Sequence, residues 1–352
     1  NRKLIRGLNR SNVLNAVLAH GPISRTSLSK EIGLSPASIT NLTAELLEQE
    51  LIQETKEGDS SGGRRPILLE INPECGYVVG LKLTEQQIIG ALIDLSAKVL
   101  CNQITPLDGH KPEQIVEKIV QTVTALLKKA KVPRKKLRGV GLGLAGVVDA
   151  EKGVSRQHPF FGWRDVPLGA MLQEQLDTLV HIDNDVNALT MAELLYGAGQ
   201  GLTEFLTVTI GRGIGLGIVV GGQLYRGARG GGGEFGHIVV DSSGPECGCG
   251  KTGCLEAFVA ERSLIRDGLA AVERDELPSI KTLNDLITLG ESGEPAAIEI
   301  FSKAGEVLGR EIANLINIFN PELILVSGEG TRIGDLIFQP MQQAIQRGVM
   351  ST

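Results

Sequence analysis

The densest group of reactive side chains lies in GGGGEFGHIVVDSSGPECGCGKTGCLE, which carries His237, Cys247, Cys249 and Cys254. One imidazole and three thiolates on a Gly-rich loop make a ligand set that tetrahedral zinc (Zn2+) accepts in full. No position stays open for an activated water, so the expected role is structural. Free cysteines in a loop are the alternative. A second candidate is HIDNDVNALTMAELLYG, where Asn184 and Asp185 stand at the change from an apolar run to a helix pattern. A carboxylate there can take a hydroxyl proton as a general base, or only accept its hydrogen bond. A helix cap is the competing reading. Glu234, His237 and Glu256 are candidate partners for Asp185, but spacing alone does not bring them together. A third stretch, TVTIGRGIGLGIVVGG, places glycines 211, 213, 215 and 217 between two apolar strands. Backbone N–H groups exposed by such a turn can cradle phosphate, and close strand packing accounts for the same glycines equally well.

These groups need elements to hold them, and the chain supplies two kinds. The first 72 residues read as three short helices and a wing. NRSNVLNAVLAHG sets Val13, Leu14, Val17 and Leu18 on one face and stops at Gly21-Pro22. ISRTSLSKEIG has Ser24 as cap, Leu28 and Ile32 inside, and Gly33 as terminator. LSPASITNLTAELLEQELI opens with Ser35 as N-cap and Pro36 at the first helical position. Its Ile39, Leu42 and Leu46 face inward, so Ser38, Thr40, Asn41 and Thr43 are expected to face elsewhere. TKEGDSSGGRRPILLEI then gives a polar turn carrying Arg64 and Arg65, followed by a strand. This order matches a winged helix-turn-helix, with a plain dimerisation bundle as the alternative. In the first reading the third helix enters a DNA major groove with Ser38, Thr40 and Asn41, and Arg64 and Arg65 lie on phosphate or in the minor groove.

Pro73-Glu74 marks the expected end of that domain. Strands GYVVGLKLT, QQIIGALIDL and KVLCNQITPL follow, then a helix, the strand LRGVGLGLAGVV, a second helix and the strand LVHI. From Leu202 the order starts again with EFLTVTIGRG, IGLGIVVGG and a strand around HIVV, then helices over 256–319, the strand ELILVSG and a helix near 336–345. Two such passes predict an internal duplication, divided as 1–72, 73–185 and 186–352, with a ligand cleft between two α/β lobes.

Bulk properties narrow the function classes. The 352 residues carry a formal charge of −6, which offers no general attraction for nucleic acid, although the first 65 residues lean basic. No run is long enough to span a membrane, and no signal peptide opens the chain. Five cysteines, three of them in one short loop, suit a reducing cytoplasm with a metal site better than a disulfide framework.

At GVGLGLAGVVD, FFGWRDVPL, IDNDVN, TIGRGIGLG, EFGH and CGCGKTGCLE the chain resembles the ROK family of bacterial sugar-responsive repressors and sugar kinases, over nearly its whole length. The resemblance implies an actin-like (ribonuclease-H-like) two-lobe α/β fold, preceded here by the winged helix-turn-helix, read as an all-α domain. It implies that Asp185 occupies the position of the kinase base, that Asn184 binds sugar, and that Glu234, His237 and Glu256 are further sugar ligands. His237 then serves both zinc and sugar. Two stretches depart from the family pattern. Kinases carry an Asp-x-Gly-Gly-Thr hairpin for ATP phosphates, whereas this chain reads GLKLTEQQIIG, without an acidic residue or Gly pair at Leu81–Thr84. HPFFGWRDV places Phe160 and Phe161 where relatives have Asn-Leu, which predicts altered stacking at the sugar site near Trp163. The expected function is a sugar-responsive repressor that binds operator DNA as a homodimer or homotetramer, is tuned by a sugar or sugar phosphate, and has no catalytic residue. An ATP-dependent sugar kinase, or a repressor governed by a protein partner, is the alternative.

Overall fold

Residues 2–57 and 65–350 are described in the computed structural model of the chain. Two compact units, Asn1–Asp185 and Val186–Thr352, divide it.

The first unit begins with helix α1 (Arg2–His20), strand β1 (Ile23–Ser24), helices α2 (Arg25–Ile32) and α3 (Pro36–Glu48), and strands β2 (Ile52–Glu57) and β3 (Ile67–Ile71). Short-range signals start the helices. Ser24 and Ser35 each accept the N–H three residues on, at 3.1 and 3.2 Å, and Pro36 supplies the preset φ of a first helical residue,. Apolar residues at helical spacing then close a small core of Val13, Val17, Leu28, Ile39, Leu42 and Leu46, completed by Ile52 and Leu69 of the strands. The strands pair in the order β1-β3-β2, so this segment carries an antiparallel sheet beside its helices. Thr43 departs from expectation. It is fully buried, its hydroxyl donates to Ile39 O at 2.9 Å, and Arg25 Nε donates to it at 3.2 Å. Satisfied in this way, the hydroxyl can sit on the inner face beside Ile39. Leu28 is completely enclosed, and Leu28→Ala is expected to cost about 2–5 kcal/mol of stability in this small core, read by chemical denaturation.

After Asn72 come β4 (Tyr77–Leu83), β5 (Gln87–Asp94), β6 (Val99–Pro106), α4 (Pro112–Lys129), β7 (Leu137–Leu144), β8 (Val147–Asp149), β9 (Val154–Gln157), β10 (Arg164–Val166), α5 (Leu168–Leu176) and β11 (Leu179–Asn184). The apolar run 137–148, read as one strand, is two, because the chain leaves the main sheet at Ala145-Gly146 to form the small sheet β10-β9-β8. The main sheet has the order β11-β7-β4-β5-β6, with β4, β7 and β11 parallel and the others antiparallel. One core joins Val79, Leu81 and Leu83 of β4 to Ile115, Ile119, Val123 and Leu126 of α4 and to Leu168, Leu172 and Leu176 of α5.

Helix α6 (Asp185–Tyr196) leads into the second unit, which adds β12 (Phe205–Ile210), β13 (Ile214–Val220), β14 (Gln223–Leu224), α7 (Glu256–Val259), α8 (Glu261–Glu273), α9 (Leu283–Glu291), α10 (Pro295–Phe319), β15 (Leu323–Ser327) and α11 (Asp335–Gly348). Its sheet runs β14-β13-β12-β15, with β15 parallel to β12. Both units therefore hold an antiparallel three-strand meander whose first strand gains a parallel neighbour, the repeated order expected from the sequence. The third strand is not HIVV, however. That segment is a short helical turn, Phe235–His237, followed by a single bridge from Val239 to Cys254. The meander closes instead with β14.

Candidate effector and metal site

In the second unit, His237 Nδ1 lies 3.5 Å from Cys247 Sγ, and Cys249 Sγ lies 3.7 Å from Cys254 Sγ. One donor atom from each of the four residues falls within 4.8 Å of every other. A tetrahedral ion with metal–sulfur bonds of about 2.3 Å and metal–nitrogen bonds of about 2.0–2.1 Å has edges of roughly 3.8 and 3.6 Å. The donors fit that cage, so these four residues can hold a metal ion. The loop is built for the approach. Gly253 sits at φ +74°, and a Cβ on it would come within 1.5 Å of Asp241 O. Val240 N donates to Gly253 O at 2.8 Å, and Cys247 N to Lys251 O at 2.8 Å. Burial, with hydrogen bonding among the neighbouring sulfurs, pushes the Cys254 thiol up to about 12. A bound cation is what would make thiolates favourable there.

The same loop brings the three predicted ligand residues of this unit together. His237 turns its second nitrogen, Nε2, to 4.0 Å from Glu234 Oε2. Burial raises the Glu234 carboxyl above its ordinary range, His237 opposes the rise and Glu256 adds to it. Glu256, at the start of α7, accepts from Arg262 at 2.6 Å and from Ile214 N at 3.3 Å. The β12–β13 glycines follow the packing alternative at two positions. A Cβ on Gly215 would strike Val186 and Thr209, and one on Gly217 would strike Thr190, so helix α6 lies too close to β13 for side chains.

In the first unit, Asn184 ends β11 and Asp185 opens α6, at the carboxyl end of the parallel strands where α/β sheets place their ligand sites,. Asn184 Nδ2 donates to Gly146 O at 3.0 Å. Lys82 Nζ lies 3.2 Å from Asp185 Oδ2. Sequence reasoning noted the missing acid in GLKLT but overlooked the cation that stands in its stretch. The β4–β5 turn is closed by Thr84, whose hydroxyl donates to Gln87 O at 2.8 Å and accepts from Gln87 N at 3.1 Å. Of the two phenylalanines expected near the sugar, Phe160 is exposed. Phe161 is stacked between His110 and His158, at ring separations of 4.6 and 4.0 Å.

Among the candidate DNA contacts, Asn41 and Thr40 are exposed and Ser38 is half-buried. Two of them already have local partners, since Ser38 Oγ is 2.9 Å from Ser35 Oγ and Thr40 Oγ1 donates to Pro36 O at 2.8 Å. Arg65 is exposed, and Arg64 lies outside the described residues. No described helix is long and apolar enough to cross a membrane.

A family model described as "ROK family" matches residues 78–352. The chain belongs to the ROK family. Among its relatives, the xylose repressor of Caldicellulosiruptor bescii is 30% identical over 99% of this chain and 89% of its own. The Escherichia coli K12 DNA-binding transcriptional dual regulator NagC is 28% identical over 98% and 86%. A crystal structure of a ROK family transcriptional regulator, a homologue of the E. coli MLC protein, superposes with a TM-score of 0.87 at 29% identity, over 98% of this chain and 89% of that one. A ROK family glucokinase from Streptomyces griseus, in complex with glucose and AMPPNP, gives 0.68 at 27% identity over 78% and 90%. With these neighbours, the α/β body of this ROK chain has the actin-like fold.

Proposed function

We propose that this ROK protein is a sugar-responsive transcriptional repressor. The observation that carries the reading is the extent of the two structural matches. The regulator covers 98% of the chain and the glucokinase 78%, while the family model starts only at residue 78. The surplus corresponds to the segment of α1–α3 and β1–β3, which has its own core. In this reading it is a winged helix-turn-helix that lays α3 in the major groove of operator DNA. Ser38, Thr40 and Asn41 contact bases or backbone, and Arg64 and Arg65 contact phosphate or the minor groove. A homodimer or homotetramer sets two such helices about one DNA turn (~34 Å) apart.

Asn184 and Asp185 from the first unit, with Glu234, His237 and Glu256 from the second, are the proposed sugar ligands. A carboxylate that loses its hydroxyl partner on burial pays a penalty, which separates sugar from water. The metal held by His237, Cys247, Cys249 and Cys254 is zinc, which fixes the imidazole plane and thereby aims Nε2 at a hydroxyl. Catalysis is not part of this function. The Lys82 ammonium occupies the carboxylate that a kinase would need free as base, and Thr84 seals the turn where ATP phosphates would rest. Sugar releases DNA only as far as its affinity differs between the DNA-bound and free forms, and a shift from 1:99 to 99:1 needs about a 10⁴-fold difference. A mobility-shift assay on the upstream region of its own gene should show binding that D-xylose or N-acetylglucosamine weakens, and Asp185→Ala should abolish the sugar effect without loss of DNA binding. Sugar-dependent ADP formation at ordinary turnover would instead establish a kinase.

A further inference from the structure

Lys82 is the one cation paired with Asp185 among the described residues of the first unit. Leu81 and Leu83, its neighbours on β4, are buried in the core with α4, so Lys82 faces the other side of the sheet,. In register, Lys82 lies opposite Gly143 of β7, and Gly143 lies opposite Asp183 of β11. A glycine between them leaves the lysine stem free to cross β7 and bring its ammonium to Asp185, at 3.2 Å. The Asp185 side chain keeps 24% of its surface exposed and that of Lys82 keeps 56%, so both groups of the pair remain open to a ligand.

We infer that Lys82 is a further effector-contacting residue, which together with Asp185 reads a single hydroxyl, and that the charge-balanced pair selects an uncharged sugar over its phosphate ester. This deepens the reading above and rests on it. A hydroxyl is at once a donor and an acceptor. Asp185 alone satisfies only its O–H, whereas the ammonium 3.2 Å away supplies a donor for its lone pairs. A phosphate in the same place carries between one and two negative charges. It meets one positive and one negative group, and the compensated pair offers it no net attraction.

The test is titration calorimetry on the full chain with D-xylose, D-glucose, N-acetylglucosamine, glucose 6-phosphate and N-acetylglucosamine 6-phosphate. The expected result is binding of at least one free sugar at least about tenfold tighter than either ester. Lys82→Met should weaken that sugar about tenfold or more, the range of a charge-assisted hydrogen bond, and Lys82→Arg should restore most of it. A thermal melt shows that both variants are folded. An ester that binds more tightly than the free sugars overturns the inference, as does a folded Lys82→Met chain with unchanged sugar affinity, and either leaves the effector reading standing. Absence of heat from all five probes with the wild-type chain overturns the effector reading and this inference with it.

Discussion

Replacement of Cys254 by serine is expected to abolish the metal binding proposed above and to loosen the loop between Val239 and Cys254 before the rest of the second unit. Cys254 is wholly enclosed and sits among the sulfurs of Cys247 and Cys249. The loop crosses itself through single bridges at Val239–Cys254 and Glu246–Thr252, backbone hydrogen bonds, and the bond from Lys251 Nζ to His237 O at 2.6 Å. The left-handed backbone at Gly253, within 1.5 Å of Asp241 O for any added Cβ, admits glycine alone. Loss of a metal ligand belongs to the small class of substitutions that cost on the order of 4 kcal/mol or more. For a unit of this size that corresponds to a melting point lower by roughly 10 °C. Cys249→Ser, at the exposed corner, should lose less. Metal content by mass spectrometry and a thermal melt check both statements. The idea fails if the purified wild-type chain holds no stoichiometric metal and Cys254→Ser melts with it. Sugar affinity should fall in the same variant, because His237 would lose the bond that fixes its ring.

What was readable in the sequence is what neighbours in sequence decide. Ser24, Ser35-Pro36 and Gly33 act on backbone groups within three or four residues, so their caps are visible in the string and present in the fold. The alternation of β4 and β5 reports a sheet face directly. HIVV misled because its apolar residues lie in the loop of the His/Cys group, where a single bridge from Val239 to Cys254, and not a strand partner, supplies the pairing. Ala145-Gly146 misled in the other direction, since hydrophobicity continues across a point where the backbone changes sheets. Thr43 looked polar by type, and only the Ile39 carbonyl and the Arg25 guanidinium make its burial tolerable.

The candidate site divides along the same line. The four residues that can hold a metal ion lie within one short stretch, so their grouping is visible in the sequence. The pairs Lys82–Asp185 and Glu256–Arg262 differ in this respect. The second lies within one short stretch, yet the first joins residues about a hundred positions apart, and only the register of β4 on β7 and of β7 on β11 brings them together. A missing acid in a hairpin is readable as a loss. The cation that replaces it gains meaning only once its partner is known.

The stability of the first unit is expected to fall by about 2.5 kcal/mol between pH 7 and pH 4.5 through one residue, His158. The residue is 2% exposed, and its ring stacks on Phe161 at 4.0 Å and an interplanar angle of 7° and leans on Trp163. Burial, aided by the nearby charge of His110, lowers its pKa from 6.5 to about 4. The folded chain therefore keeps a neutral ring at a pH where the unfolded chain binds a proton. A depressed pKa contributes stability that is complete above pH 6.5 and drains away as pH falls towards 4. Phe160 N approaches Nδ1 at 3.4 Å, which leaves the ring proton on Nε2, and that atom has no hydrogen-bond partner among the described residues. His158→Phe keeps a flat ring in the stack, removes the titration and removes an unsatisfied buried donor. The variant should match or exceed the wild type at pH 7 and lose less on acidification, by that same 2.5 kcal/mol at pH 4.5. Carboxylates such as Asp149, held low by Arg156, also weaken the fold in acid but do so in both chains, so the difference between the two curves isolates the imidazole. Denaturation curves for wild type and variant across this pH range check this, and a stability difference between the two that does not change with pH would show instead that the His158 ring takes up its proton in the folded state without penalty.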